Sequence, residues 1–351
     1  SKKIFFQEIR MHSVLLKNDA VGDLVHSLKA IDNITSSSKK VTIFLSKLTE
    51  KYSFLVKGPK VEIKILNYNL SLIEKVKLIF FLISNNIKNV YILSPKNFYY
   101  YLPVIFRNIK FYAICIDNIN NYKRPNLFLR RFLYKYAIND RGKIFKREST
   151  RSIQNKLTMH DNKNSDYQFN VNIKKSEILN NILPDKYIFF HLKKKRFDDL
   201  DWKFNELQLM FIEFTKYSKN IIITKDIEND NNNIIFRENF NSYDFNSKKF
   251  IDNKKNILFL DNIVGEDLFN VIKYSHKVVA FHGMMTNLGY LLKKPVLDLF
   301  HCKIEVWEDY RSYRNSFYEF KPKYYGYDFI IPSKNIKKTI SKMRFFLKKD
   351  I

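Results

Sequence analysis

The chain has 351 residues, of which 62 are Lys or Arg and 35 are Asp or Glu, for a formal charge of +27; 45% are hydrophobic and 16% aromatic. That apolar content excludes a disordered polymer, and the length suits two domains of roughly 100–200 residues each. An uninterrupted apolar run such as 78–83 is far short of the roughly 20 residues that span a bilayer, so no transmembrane segment and no secretory segment is expected.

A charge of this size suits nucleic acid, an anionic membrane surface or a phosphorylated substrate. The chain is also rich in Lys, Asn, Ile, Phe and Tyr, residues of A/T-rich codons, so composition alone accounts for part of the charge. Lys is scattered rather than blocked, which argues against a nucleic-acid partner. Cys115 and Cys302 stand far apart in apolar contexts, which rules out a disulfide framework and a paired-cysteine metal site. A cytoplasmic protein, peripheral at the inner membrane if attached at all, is the expectation.

Taken in order, 13–16 reads as a first strand, followed by a turn holding Gly22 and Asp23 and a helix with Leu24, Leu28 and Ile31 on one side. Strands at 41–45, 61–66, 90–93 and 111–116, with a helix at 70–83, continue an alternating α/β pattern. Between 139 and 185 the pattern thins into a polar stretch read as a crossover. Alternation then restarts: strands at 187–192, 220–224, 257–260 and 278–281, helices at 205–217 and 267–274. A Gly-containing turn, a helix at 287–292 and a strand from Pro295 follow, and a basic amphipathic helix closes the chain. The fold class expected is α/β, with two Rossmann-like parallel-sheet domains.

Three places can carry chemistry. Asp23, on a Gly turn at the positive end of a helix, is either a general base or simply a helix cap; Asp19 on the same turn is its nearest rival. The cations Lys193, Lys194, Lys195 and Arg196 follow a strand's carboxyl end, as a phosphate site or as a solvated loop. His282, Gly283, Met284, Thr286 and Asn287 form the third: Gly283 allows close backbone approach, Thr286 or Asn287 can bond phosphate or sugar, and His282 is a ligand contact or a core histidine. Glu266 and Asp267 open the preceding helix, where their ordinary role is dipole compensation.

The stretch Leu15-Leu16-Lys17-Asn18-Asp19-Ala20-Val21-Gly22-Asp23-Leu24-Val25-His26 resembles the N-terminal pattern of the heptosyltransferase family, glycosyltransferase family 9. The basic loop running to Trp202, Glu266-Asp267-Leu268 and the block 278–297 resemble that family's donor-binding half. The departures are Phe281 and His282, which stand where the family has Asp and Thr, and Thr286 or Asn287, which stands where it has His. The resemblance implies a GT-B arrangement: an acceptor-binding domain over 1–165, a donor-binding domain over 166–335, and a C-terminal helix over 336–351. It implies an inverting, metal-independent transferase without a cofactor, building lipopolysaccharide core, O-antigen or capsule. Asp23 would be the base and Lys17 and Asp19 acceptor contacts. Lys194, Lys195, Arg196, Glu266, His282, Gly283, Met284, Thr286 and Asn287 would bind the nucleotide-sugar donor. The partners implied are that donor, a lipid-linked or oligosaccharide acceptor and an anionic membrane surface. A retaining or phosphosugar-dependent transferase is the nearer alternative, and a non-catalytic nucleic-acid-binding protein the farther one.

Overall fold

A computed structural model of the chain describes residues 11–117, 122–140, 150–159, 171, 173–226, 232–253, 256–300 and 326–349. These divide into two compact α/β units, one holding the described residues up to 159 and the other those from 171 onward. The expected boundary at 165/166 and Cys302 lie outside the described residues.

Unit 1 is built on β1 (His12–Lys17), α1 (Val21–Ser37), β2 (Lys40–Ser46), β3 (Val61–Leu66), α2 (Leu72–Ser84), β4 (Ile87–Ile92), β5 (Lys110–Asp117), β6 (Lys123–Arg124), β7 (Lys135–Asp140) and α3 (Thr150–Thr158). Its sheet runs β3-β2-β1-β4-β5, parallel throughout; β7 also pairs parallel with β5, while β6 is antiparallel. Val14, Leu15 and Leu16 are fully buried, as expected of a central strand covered on both faces. From β1 the chain steps out to β2 and β3. Helix α2 then carries it back past β1 to β4, so strand order reverses between β1 and β4. Burial pushes the Cys115 thiol up to about 12, which leaves it inert.

Unit 2 comprises α4 (Glu177–Ile182), β8 (Ile188–Leu192), α5 (Lys194–Asp199), α6 (Phe204–Thr215), β9 (Ile221–Lys225), α7 (Asn232–Asn239), β10 (Asn241–Asp244), β11 (Lys249–Ile251), β12 (Ile257–Asp261), α8 (Gly265–Tyr274), β13 (Lys277–Phe281), α9 (Met284–Leu291), β14 (Val296–Leu299), β15 (Tyr327–Ile330) and α10 (Ile336–Leu347). The sheet order is β11-β10-β12-β9-β8-β13-β14-β15, parallel except for the β10–β11 pair. Strand order reverses between β8 and β13, as it does between β1 and β4 in unit 1.

Helix α10 belongs to this unit's core. Ile336, Ile340, Met343, Phe346 and Leu347 are buried in one cluster with Trp202, Phe211 and Phe214. The Trp202 indole donates to the carbonyls of Ser333 (3.1 Å) and Lys334 (3.2 Å), and the buried Lys277 ammonium donates to those of Leu347 (2.6 Å) and Lys349 (2.7 Å). A cation at a helix C-terminus satisfies carbonyls that lack an intrahelical partner. The apolar side of α10 is therefore used in packing rather than offered to a membrane.

Arg344 on α10 reaches back to α6, donating to Glu213 from Nε (2.8 Å) and Nη2 (3.1 Å). These hydrogen bonds, with help from Lys216, hold the Glu213 carboxyl down at about 2. The folded value lies below the ordinary 4.5, so the pair's stabilisation is present above that value and is lost as pH falls from about 4.5 toward about 2. Urea melts between pH 6 and 2.5 should show this slope in wild type, and Glu213→Gln should reduce it, leaving the part contributed by Glu62 and Glu74, which are also held down at about 2.

The polar stretch expected to be a crossover begins at the end of β7 and holds α3 and α4, with α3 packed against α1. The region between the strands expected at 220–224 and 257–260 contains α7, β10 and β11. The helix expected at 287–292 begins at Met284, directly after Gly283.

Candidate functional site

In open α/β sheets, ligands settle beyond the carboxyl ends of the strands where strand order reverses. In unit 1 that point belongs to Asp19. The buried Lys17 ammonium, at the end of β1, donates to Asp19 Oδ2 at 2.7 Å, and Ser94 Oγ, just past β4, donates to the same oxygen at 2.8 Å. Ser46 Oγ, ending β2, donates to the Asp19 carbonyl at 2.6 Å. Three adjacent strands thus converge on one residue, and Asp19 Oδ1, also buried, has no hydrogen-bond partner among the described residues. Asn18 is fixed alongside: it accepts from the Tyr99 hydroxyl (2.6 Å) and donates to the Asn67 carbonyl (2.9 Å). Burial raises the Tyr99 phenol far above its ordinary range, so it keeps the proton it donates.

Asp23 is not the cap of α1. The cap position is Ala20, which has no side chain to offer, and Asp23 stands exposed in the first turn, three residues on. There its carboxylate is favoured by the positive end of the helix. Lys17, Asp19 and Asp23 therefore share one strand end, but in two environments: an interior pair and an exposed acid.

In unit 2 the reversal falls between Lys193 and the turn His282-Gly283. Lys193 Nζ donates to the His282 carbonyl at 2.7 Å, joining the ends of β8 and β13, and burial lowers its pKa. Gly283 has φ +151° and ψ −141°, a region essentially reserved for glycine. A Cβ there would lie 2.4 Å from Lys193 Nζ. Thr286 is buried and braces the turn: its hydroxyl donates to the Gly283 carbonyl (3.0 Å) and accepts from the Gly283 N–H (3.2 Å). Helix α9 starts at Met284, so the N–H groups of its first turn face the reversal point.

His282 is oriented by Asp298. Its Nδ1 lies 2.8 Å from Asp298 Oδ2, which also accepts from the Tyr327 hydroxyl at 2.7 Å. On β8, the buried His191 contacts Thr224 Oγ1 (2.8 Å) and Asp226 Oδ1 (3.2 Å), and burial lowers its pKa. Gly289 serves packing, since a Cβ there would meet Val296 Cγ2 at 2.8 Å.

The sequence-predicted residues sort unevenly. His282, Gly283, Met284 and Thr286 gather at the unit 2 reversal. Asn287 does not open the helix; it is a buried residue in its first turn, with its N–H bonded to the Gly283 carbonyl at 3.1 Å. Lys194, Lys195 and Arg196 form the first turn of α5, where Arg196 pairs with Asp199 at 3.3 Å. The cation at the reversal is Lys193, one residue earlier. Glu266 is exposed in the first turn of α8, past β12, which β9 separates from β8. Ser94, Asp226 and Asp298 escaped sequence reasoning. Each sits at or near the carboxyl end of a strand, but which strands lie side by side cannot be read from local pattern. Among the described residues, no group of three or more His, Cys, Asp or Glu is placed to hold a metal ion.

No family model matches the chain, and no curated protein matches it. Solved structures do match. The glycosyl transferase family 9 protein of Veillonella parvula aligns with TM-score 0.62 at 10% identity, over 97% of this chain and 98% of its own. E. coli heptosyltransferase WaaC with ADP aligns with TM-score 0.57 at 11% identity, over 97% and 100%. The UDP-GlcNAc 2-epimerase of Methanocaldococcus jannaschii aligns with TM-score 0.54 at 11% identity, over 97% and 93%. At these identities the likeness is one of fold. The chain has the two-unit Rossmann-like α/β fold of the GT-B class, and within it resembles the heptosyltransferase-like proteins of glycosyltransferase family 9.

Proposed function

We propose that the chain is a glycosyltransferase that moves a sugar, heptose or a relative, from a nucleotide donor to a growing bacterial surface glycan of the lipopolysaccharide-core, O-antigen or capsule kind. The observation that carries this reading is the placement of polar groups at both strand-order reversals: an acid-bearing turn in unit 1 and a lysine-braced glycine turn in unit 2. In this reading unit 1 takes the acceptor and unit 2 the donor.

The acceptor hydroxyl loses its proton to the Asp23 carboxylate as its oxygen attacks the anomeric carbon, inverting it. The bond from that carbon to the donor phosphate breaks, and its electron pair leaves on the phosphate oxygen. Lys193, the N–H groups at the start of α9 and the cations of α5 stabilise the charge that develops there. Asp19 and Lys17 hold the turn that presents Asp23. No metal is required by this scheme.

The test is turnover of nucleotide sugars with and without a glycan acceptor. Acceptor-dependent release of nucleoside diphosphate with an inverted product supports the reading; a retained anomer moves it to the retaining alternative. A second reading, a nucleotide-sugar epimerase, is favoured by the epimerase neighbours of the same fold. It requires conversion of the donor with no acceptor present. Salt-sensitive binding of DNA or RNA without any turnover would overturn both.

Gly283→Ala should fold but swing Lys193 off the His282 carbonyl. Calorimetry with ADP and UDP should show binding weakened about tenfold, or ~1.4 kcal/mol.

A further inference from the structure

Helix α2 is covered on one side only. Leu78 and Leu82 are buried in the unit 1 core, with Ile79 and Phe81 packed against it. Facing outward are Leu72 (75% exposed), Ile73 (66%), Val76 (42%), Phe80 (64%) and Ile83 (63%). At α-helical spacing these five fall within one arc of about 100°, a continuous apolar stripe along the helix. A contiguous apolar surface of this kind marks an interaction site rather than scattered exposure.

Charge indicates what covers it. Across residues 71–88 the charged residues are Lys75, Lys77 and Lys88 against Glu74. Glu74 is taken up in local bonds, accepting from the Asn67 N–H (2.7 Å) and Nδ2 (3.0 Å) and from the Ser71 N–H (2.8 Å) and hydroxyl (3.0 Å). An apolar stripe rimmed by lysines matches an anionic lipid surface: the stripe enters the boundary of the acyl chains while the ammonium groups reach the phosphates. A second copy of the chain would bring like-charged rims together. We propose that α2 docks unit 1 onto an anionic bilayer.

The dock is tied to the candidate site. Asn67, bonded by Glu74, also accepts from Asn18, the neighbour of Asp19. Helix α2 begins past the carboxyl end of β3, on the side of the sheet that carries Asp19 and Asp23. Docking through α2 therefore sets that turn at the lipid surface. The inference goes beyond the transferase reading and does not depend on it.

Flotation of the full chain with phosphatidylglycerol–phosphatidylcholine vesicles, and with phosphatidylcholine vesicles alone, tests this. Wild type should bind the anionic vesicles. The pair Phe80→Gln and Ile83→Gln, and separately the pair Lys75→Gln and Lys77→Gln, should each weaken binding about tenfold or more. Ile212→Gln, at an exposed apolar position of unit 2, should leave binding unchanged. Circular dichroism should report wild-type folding for every variant. The proposal is overturned if wild type ignores anionic vesicles, if the α2 variants bind as wild type does, or if Ile212→Gln weakens binding as much as they do. It is equally overturned by a concentration-dependent dimer in sedimentation that the Phe80/Ile83 pair abolishes.

Discussion

Asp23→Asn is expected to lower kcat by about 10²–10⁴-fold, the range for removing a general base, while leaving the donor KM nearly unchanged. The amide fills the same space but accepts no proton, so the loss should appear in chemistry rather than in folding. Because Asp23 is exposed and Ala20 occupies the cap position, the melting temperature should stay within a degree or two of wild type. A capping role would produce the opposite result: intact turnover and a less stable helix. Steady-state kinetics on an accepted donor, run beside a thermal melt, distinguishes the two. Full retained activity would sink the base assignment.

Asp19→Ala should act on stability. Lys17 is 1% exposed and its ammonium is 2.7 Å from Asp19 Oδ2, so removing the carboxylate leaves a charge buried without its partner. Breaking a buried pair this way costs about 3–5 kcal/mol. The Ser94 hydroxyl loses its acceptor as well. Denaturant unfolding followed in unit 1 should show the loss. The double variant Lys17→Met with Asp19→Leu should recover most of it, because replacing both charges by apolar groups avoids the unpaired ion. A single Asp19→Ala variant as stable as wild type would show that solvent reaches Lys17.

The alternation of short apolar strands with amphipathic helices was legible along most of the chain, because a strand buried on both faces needs a continuous apolar run. The first strand, the Gly-Asp turn and the helix after it are local features, and local pattern suffices for them. The segments holding α3 and α7 were missed because polar and aromatic residues mask their periodicity. The basic amphipathic character of α10 was visible, but its destination was not. Local pattern does not tell whether such a side stays exposed, as on α2, or is packed into the core, as on α10, where it meets Trp202 and Phe211.

By itself, the sequence determined the α/β class, the position of Asp23 at a helix start and a glycine-containing turn at 283; the backbone angles that require glycine there are a finding of the structure. Tertiary structure decided which strands are neighbours. That choice draws Ser94 to Asp19, Lys193 to His282 and Asp298 beneath the same histidine, pairs separated by 75, 89 and 16 residues. No periodicity encodes such pairings, because they depend on which strands the connections make neighbours: β4 beside β1, β13 beside β8 and β14 beside β13.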